Sequence, residues 1–186
     1  MGVDTDTQET HDMTTNTNEQ SARGGAGLIL PVRVVNLIEA RTLAQAGAYP
    51  SVLTAGPTRD EVADFGHPDH HVVEFDDVYD VRFGGPTLDD VRSMVEWAVG
   101  RDRILVHCHA GISRSTATAW GICIAKGLDP EQSIAALRAA HPMVQTYAGL
   151  EQRSFSPNEL IVEHLEVLLD QPIGSLIALA GTYARW

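Results

Sequence analysis

The stretch that most constrains this chain is Arg103 to Ala125, RILVHCHAGISRSTATAWGICIA, in which an apolar run, a short loop and a second apolar run follow one another. Ile104, Leu105 and Val106 show no alternation and read as a strand covered on both faces, and Thr116 to Ala125, apolar nearly all round, reads as a buried helix. A strand that feeds a tight loop into a helix N-terminus makes an anion site, because successive N–H groups and the positive end of the helix face one point. Gly111 lets the loop take positive φ where a side chain would obstruct it. The amides of His109, Ala110, Gly111, Ile112, Ser113 and Arg114 can then surround an oxyanion.

In that loop Cys108 stands where amides, a helix N-terminus and a guanidinium converge, surroundings that favour a thiolate over a thiol. Arg114 offers a planar fork of donors for two phosphoryl oxygens, and the charge it faces grows in the transition state. Ser115 can donate a hydrogen bond to the sulfur and so improve it as a leaving group. Cys-x-x-x-x-x-Arg alone is a weak signal. The strand before it, His107, Gly111, Ser115 and the helix beyond make it specific, against the alternative of a strand-turn-helix with a buried Cys and a surface Arg.

On these residues HCHAGISRS is similar to the signature loop of the cysteine-dependent protein phosphatases, most of all the short dual-specificity and bacterial tyrosine-phosphatase-like proteins. The likeness is dense over about thirty residues and looser elsewhere. It implies an α/β, protein-tyrosine-phosphatase-like fold with a central, mostly parallel sheet flanked by helices. It also implies a phosphomonoester hydrolase with a phosphocysteine intermediate, no metal and no cofactor, whose partner is a phosphorylated protein or a small phosphomonoester. Relatives acting on inositol phospholipids often carry extra lysines in the loop. Here the variable positions are His109, Ala110 and Ile112 and the single lysine is Lys126, which favours a phosphorylated side chain, phosphotyrosine first and phosphoserine or phosphothreonine next. Two alternatives stay open: a catalytically silent phosphate-binding or phosphoprotein-binding module, and a rhodanese-like sulfurtransferase, whose chemistry needs no Arg followed by a hydroxyl.

Expelling an alkoxide or phenoxide from phosphate is slow without a proton donor. His71 to Phe75, HVVEF, reads as a strand that runs into Asp76-Asp77-Val78-Tyr79-Asp80. In the resembling phosphatases the acid comes from an equivalent loop about this far before the Cys, and Phe-Asp-Asp resembles the version in which the second Asp donates. That points to Asp77, then Asp76, then Asp80, against the alternative that these acids only cap a turn. His107 is expected to orient the nucleophile from behind, and His109 to line the pocket or face solvent.

Beyond Met1, residues 1–27 hold only Val3 and Met13 as sizeable apolar side chains and read as a disordered tail, which leaves 28–186 as a single domain. GGAG at 24–27 follows no strand and contains no Lys, which argues against a nucleotide loop. No apolar run suits a signal peptide or reaches the ~20 residues of a membrane span, so the expected location is cytoplasmic. Two cysteines make no disulfide framework, and Cys123, inside the apolar helix, reads as core rather than as a resolving partner for Cys108. The formal charge is −12, to which the tail contributes five acids against Arg23, so neither nucleic acid nor an anionic membrane surface is an expected partner.

Elsewhere Ile29–Ile38 and Pro50–Ala55 read as strands, and Gly56–Asp69 as a loop. His67, His70 and His71 read as solvated rather than as metal ligands, since Pro68 breaks their spacing. Helices are expected from Thr87 to Gly100, from Asp129 to His141, and after Ser156-Pro157, the last with Leu160, Ile161, Leu165, Leu168, Leu169 and a packed His164 on its apolar face. Met143–Phe155 is long for a connection between helices, and Tyr147, Arg153 or Phe155 could overhang the pocket. Ile173–Trp186 reads as a short helix against the body or as a dimer contact.

Overall fold

Four short strands, β1 (Val32–Val35), β2 (Ser51–Ala55), β3 (His70–Val73) and β4 (Ile104–His107), form one all-parallel sheet in the order β1-β4-β2-β3. The computed structural model describes residues 28–141, 145–147, 150–152 and 155–184, so the tail expected over 1–27 lies outside the described residues. β4 is the last of the four in the chain yet sits between β1 and β2, with all four of its residues buried. This is why it carries no polar alternation. In register, its last residue, His107, pairs with Val35 on one side and Thr54 on the other.

Successive β4 side chains go to opposite faces. Leu105 joins Val35, Val52 and Phe65 under α1 (Leu37–Gln45), α2 (Arg59–Val62) and the 3-10 turn Ala63–Phe65. Ile104 and Val106 join the larger cluster built on Met94, Trp120, Ile134 and Ile161, from α3 (Leu88–Val99), α4 (Arg114–Ala125), α5 (Pro130–Ala140) and α6 (Glu159–Leu168). A small antiparallel pair, β5 (Gln145–Tyr147) and β6 (Leu150–Gln152), follows α5, and α7 (Ser175–Tyr183) comes last. Among the described residues no helix is long and apolar enough to cross a membrane.

Several expected boundaries move, among them the strand expected over His71–Phe75, which runs His70–Val73, and the helix expected from Thr116, which starts at Arg114. The strand expected over Ile29–Ile38 spans only Val32–Val35, because the Asn36 side chain accepts from the Glu39 amide at 2.9 Å and starts a helix at Leu37. The loop expected over Gly56–Asp69 contains α2, opened by a capping box between Thr58 and Glu61. The helix expected after Ser156-Pro157 is capped instead by Asn158. Thr87 with Asp90, and Asp129 ahead of Pro130, cap α3 and α5 as expected. Phe155 is buried and meets His141 edge-on at 6.2 Å, so it does not overhang a pocket, while Arg153 and the Tyr147 side chain lie outside what is described.

The C-terminal apolar run forms α7, whose Leu176 and Ala180 are buried against the body. No side chain of its own caps it. The buried carboxylate of Glu166 on α6 does so, accepting from the amides of Gly174 and Leu176 at 2.7 Å and of Ile177 at 3.1 Å. Glu166→Ala leaves three donors without that acceptor and is expected to cost about 2–3 kcal/mol, read as a lower urea midpoint. An unchanged midpoint would mean that these amides do not need the carboxylate.

Candidate active site

The loop between β4 and α4, residues 108–113, is fastened from outside by its carbonyls. His109 O accepts from Leu37 N at 3.1 Å, Gly111 O from His141 Nε2 at 2.7 Å, Ile112 O from Ser156 N at 3.0 Å and Ser113 O from Asn158 N at 3.3 Å. Cys108 O accepts a longer bond from His107 Nδ1 at 3.4 Å. In a planar trans peptide the N–H points opposite to the C=O. The amides of His109, Ala110, Ile112, Ser113 and Arg114 therefore face the inside of the loop, and Gly111 N donates to Cys108 Sγ at 3.2 Å.

Gly111 has φ +77°, and a Cβ there would stand 2.8 Å from backbone atoms of Val35 and Asn36. The loop crosses the end of β1 so closely that only glycine fits. Ser113 precedes α4 but its hydroxyl does not cap the helix; it donates to Asp77 Oδ1 at 2.8 Å. The first amides of α4 thus keep their inward orientation for an anion.

Cys108 is buried, with Sγ 3.2 Å from the hydroxyl of buried Ser115. The Arg114 side chain, only 12% exposed, crosses Gly56 at the end of β2, donates from Nη1 to Phe75 O at 3.0 Å and pairs with Asp77. A Cβ at Gly56 would fall 2.1 Å from Nη1, so this glycine makes the room for the guanidinium. Arg114 Nε is 3.7 Å from Asp77 Oδ2, an ion pair too long for a hydrogen bond, and among the described residues it has no other acceptor.

The three candidate acids separate clearly. Asp77 accepts from Ser113 Oγ and, at 2.9 Å, from Asn158 Nδ2, so it is tied to the Cys loop on one side and to α6 on the other. Asp76 folds back over its own loop, its amide donating to Gly84 O at 2.8 Å and its Oδ2 standing 2.8 Å from where a Cβ on Gly84 would lie. Asp80 caps the 3-10 turn Val81–Phe83 and chelates Arg82, which holds its carboxyl below the usual range.

Behind the loop His107 is fully buried, and burial pushes its imidazole down to about 4. Its Nε2 lies 2.6 Å from Thr54 Oγ1, which is in turn 2.8 Å from His70 Nε2, and Phe65 stacks against both rings. His109 is exposed. His67 bonds the Tyr49 carbonyl and His71 bonds Ser93, so the imidazoles of the 67–71 segment go to three different partners. Cys123 packs in the core, where burial pushes its thiol up to about 12.

Sequence reasoning placed Cys108, Arg114, Ser115 and the Asp76–Asp77 pair in this region and missed Gly56, Thr54, His141 and Asn158. Only Asn158 left a trace, as a cap residue directly ahead of the α6 apolar face.

No family model matches the chain, and no curated protein matches it by sequence. Solved structures do resemble it. The PTP-2 phosphatase of Cydia pomonella aligns over 73% of this chain and 84% of its own, at 20% identity and TM-score 0.53. PTPMT1 in complex with PI(5)P aligns over 80% and 94%, at 20% identity and TM-score 0.50. The human tyrosine phosphatase-like serine/threonine/tyrosine-interacting protein aligns over 74% and 90%, at 14% identity and TM-score 0.50. At such identities the likeness is one of fold, and this chain has the cysteine-dependent tyrosine and dual-specificity phosphatase fold.

Both His70 and His107 are pushed down to about 4, below the 6.5 of a free imidazole. As pH falls the unfolded chain takes up these protons first. The stabilisation they contribute is complete above pH ~6.5 and is lost on the way to pH ~4, about 3 kcal/mol for His107 alone. Urea midpoints are expected to fall from pH 7 to pH 4.5, and to fall less in His70→Gln. A flat midpoint in the parent chain would contradict neutral buried imidazoles.

Proposed function

We propose that this chain is a phosphomonoester hydrolase working through a phosphocysteine intermediate, with phosphotyrosine in proteins as its first substrate class and phosphoserine or phosphothreonine as further ones. The observation that carries this reading is a joint placement. Cys108 Sγ sits between the Gly111 amide and the Ser115 hydroxyl, in a loop whose amides face inward, with Arg114 and Asp77 paired at its edge.

In the first step the Cys108 thiolate attacks phosphorus, the S–P bond forms as the P–O bond breaks, and the leaving oxygen takes a proton from Asp77. The inward amides and Arg114 take up the charge on the non-bridging oxygens. To do so the Arg114 donors leave Phe75 O and Asp77 for the phosphoryl oxygens, which frees Asp77 Oδ2 to hold the proton. In the second step water attacks phosphorus and gives its proton to Asp77. The S–P bond breaks while Ser115 donates to the departing sulfur. Water is the only co-reactant the balance requires.

The loop supports a singly phosphorylated substrate. His109 and Ala110 are exposed, and Lys126 lies beyond the far end of α4, so Arg114 is the cation the loop brings to a phosphate. The full chain is expected to hydrolyse an aryl phosphate and a phosphotyrosine peptide. Cys108→Ser should abolish turnover, a loss of about 10³-fold or more, while phosphopeptide binding persists. Asp77→Asn should lower kcat on the peptide by about 10²-fold, and by less on an aryl ester whose leaving group needs no proton. Turnover surviving in Cys108→Ser refutes the mechanism, and a larger loss in Asp76→Asn than in Asp77→Asn reassigns the acid.

A further inference from the structure

We propose that Thr54 and His70 are positioning residues for Cys108: the direction of their hydrogen bonds holds His107 as the Nδ1–H tautomer and so keeps the Cys108–His109 peptide turned with its N–H into the loop. The proposal rests on the reading of Cys108 as nucleophile. It adds two residues, on β2 and β3, that touch neither the sulfur nor any substrate.

The direction follows from donor counting. The Cys108 carbonyl can only accept, so His107 Nδ1, 3.4 Å away, carries the proton. His107 is buried and neutral, so its Nε2 offers a lone pair, and the Thr54 hydroxyl at 2.6 Å must donate to it. A hydroxyl has one proton. Thr54 Oγ1 is therefore the acceptor at its second contact, and His70 Nε2, 2.8 Å away, is the donor. Every bond runs the same way, from His70 to Thr54 to His107 to the Cys108 carbonyl.

Packing keeps this order in place. Thr54 and His107 are register partners on neighbouring strands, which sets hydroxyl and ring side by side. Phe65, 3% exposed, stacks against both imidazoles with its ring centroid 5.4 Å from His70 and 5.3 Å from His107, so neither ring turns over without disturbing it. Thr54 and His107 are both fully buried, so no solvent is at hand to replace a lost donor. Without the Thr54 hydroxyl, Nε2 loses the donor that fixes its lone pair, and the 3.4 Å bond from Nδ1 to the Cys108 carbonyl is left as the one contact opposing a shift of the proton to Nε2. That move would release the Cys108 carbonyl and with it the orientation of the His109 amide.

The test uses the full-length chain, ¹⁵N-labelled, with imidazole tautomers read from long-range ¹H–¹⁵N spectra at pH 7. The expected result is His107 protonated on Nδ1 and His70 protonated on Nε2. Thr54→Val is expected to abolish the His107 assignment and Thr54→Ser to restore it. In parallel, iodoacetamide alkylation of Cys108 is followed by peptide mass spectrometry, which separates it from Cys123. At pH 6 the Thr54→Val rate should fall about tenfold while the rate at pH 9 stays within twofold, with Thr54→Ser close to the parent chain. His70→Phe keeps a ring beside Phe65 but removes the donor, and should give a smaller loss in the same direction. A purely structural role for Thr54 would change stability and leave both the tautomer and the pH 6 rate alone. His107 protonated on Nε2 in the parent chain, or parental alkylation of Thr54→Val at pH 6, overturns the proposal. Neither readout depends on turnover, so a chain that fails to hydrolyse phosphate esters would sink the proposed function and still leave this one to be decided.

Discussion

A peptide plane whose carbonyl is fastened on one side must present its N–H on the other, and residues 108–113 are organised by that constraint. The fastenings come from His107 at the end of β4, Leu37 at the start of α1, His141 beyond α5, and Ser156 and Asn158 ahead of α6. A six-residue loop whose one large apolar side chain is Ile112 has little with which to hold a shape of its own. Its shape is imposed from outside, and the N–H groups left facing inward form an anion-binding concavity. The close crossing of Gly111 over the Val35–Asn36 junction belongs to the same requirement, since a side chain there would push the loop off its supports.

The acid loop is attached to the same supports. Asn158 caps α6 with its carbonyl oxygen, holds Ser113 O with its backbone amide, and donates from Nδ2 to Asp77. One buried residue, through its side chain and its own amide, thus sets helix, Cys loop and Asp77 relative to one another. Ser113, which precedes α4, gives its hydroxyl to Asp77 instead of capping the helix, so the carboxylate and the uncapped helix N-terminus arise from one choice of partner. Arg114 closes the circuit by resting on Phe75 O and facing Asp77 across Gly56. Among the described residues the group of this network left without a hydrogen bond is Arg114 Nε, in the one side chain expected to change partners when a phosphoryl group binds.

What could be read from the sequence follows from what is contiguous in it. Strand, Cys, Gly, Arg, Ser and helix lie within a single run, so the site's centre and the parallel sheet were legible from residues 103–125 and their flanks. The caps Thr87 and Asp129 were legible for the same local reason. The supports were not, because Thr54, His70, His141 and Asn158 meet the loop only through the strand order β1-β4-β2-β3 and the packing of α5 and α6. The Val34-Val35-Asn36-Leu37-Ile38 run misled for a different reason. Its apolar residues continue across a strand-to-helix boundary, and only the cap at Asn36 marks the change of period. Asp77 is ranked ahead of Asp76 through the resemblance alone, since neighbouring carboxylates have the same chemistry and differ in which way the loop turns them, Asp77 toward Ser113 and Asp76 toward Gly84.

The central claim is that these inward amides, together with Arg114, bind a tetrahedral oxyanion. It is tested most directly by titrating the ¹⁵N-labelled chain with tungstate and following its backbone amides. The account predicts a saturable one-to-one response in which the resonances of His109, Ala110, Ile112, Ser113 and Arg114 shift together with the Arg114 side chain, while the rest of the sheet stays quiet. Saturating tungstate that leaves those five amides unmoved, or a response confined to some other part of the surface, would contradict it.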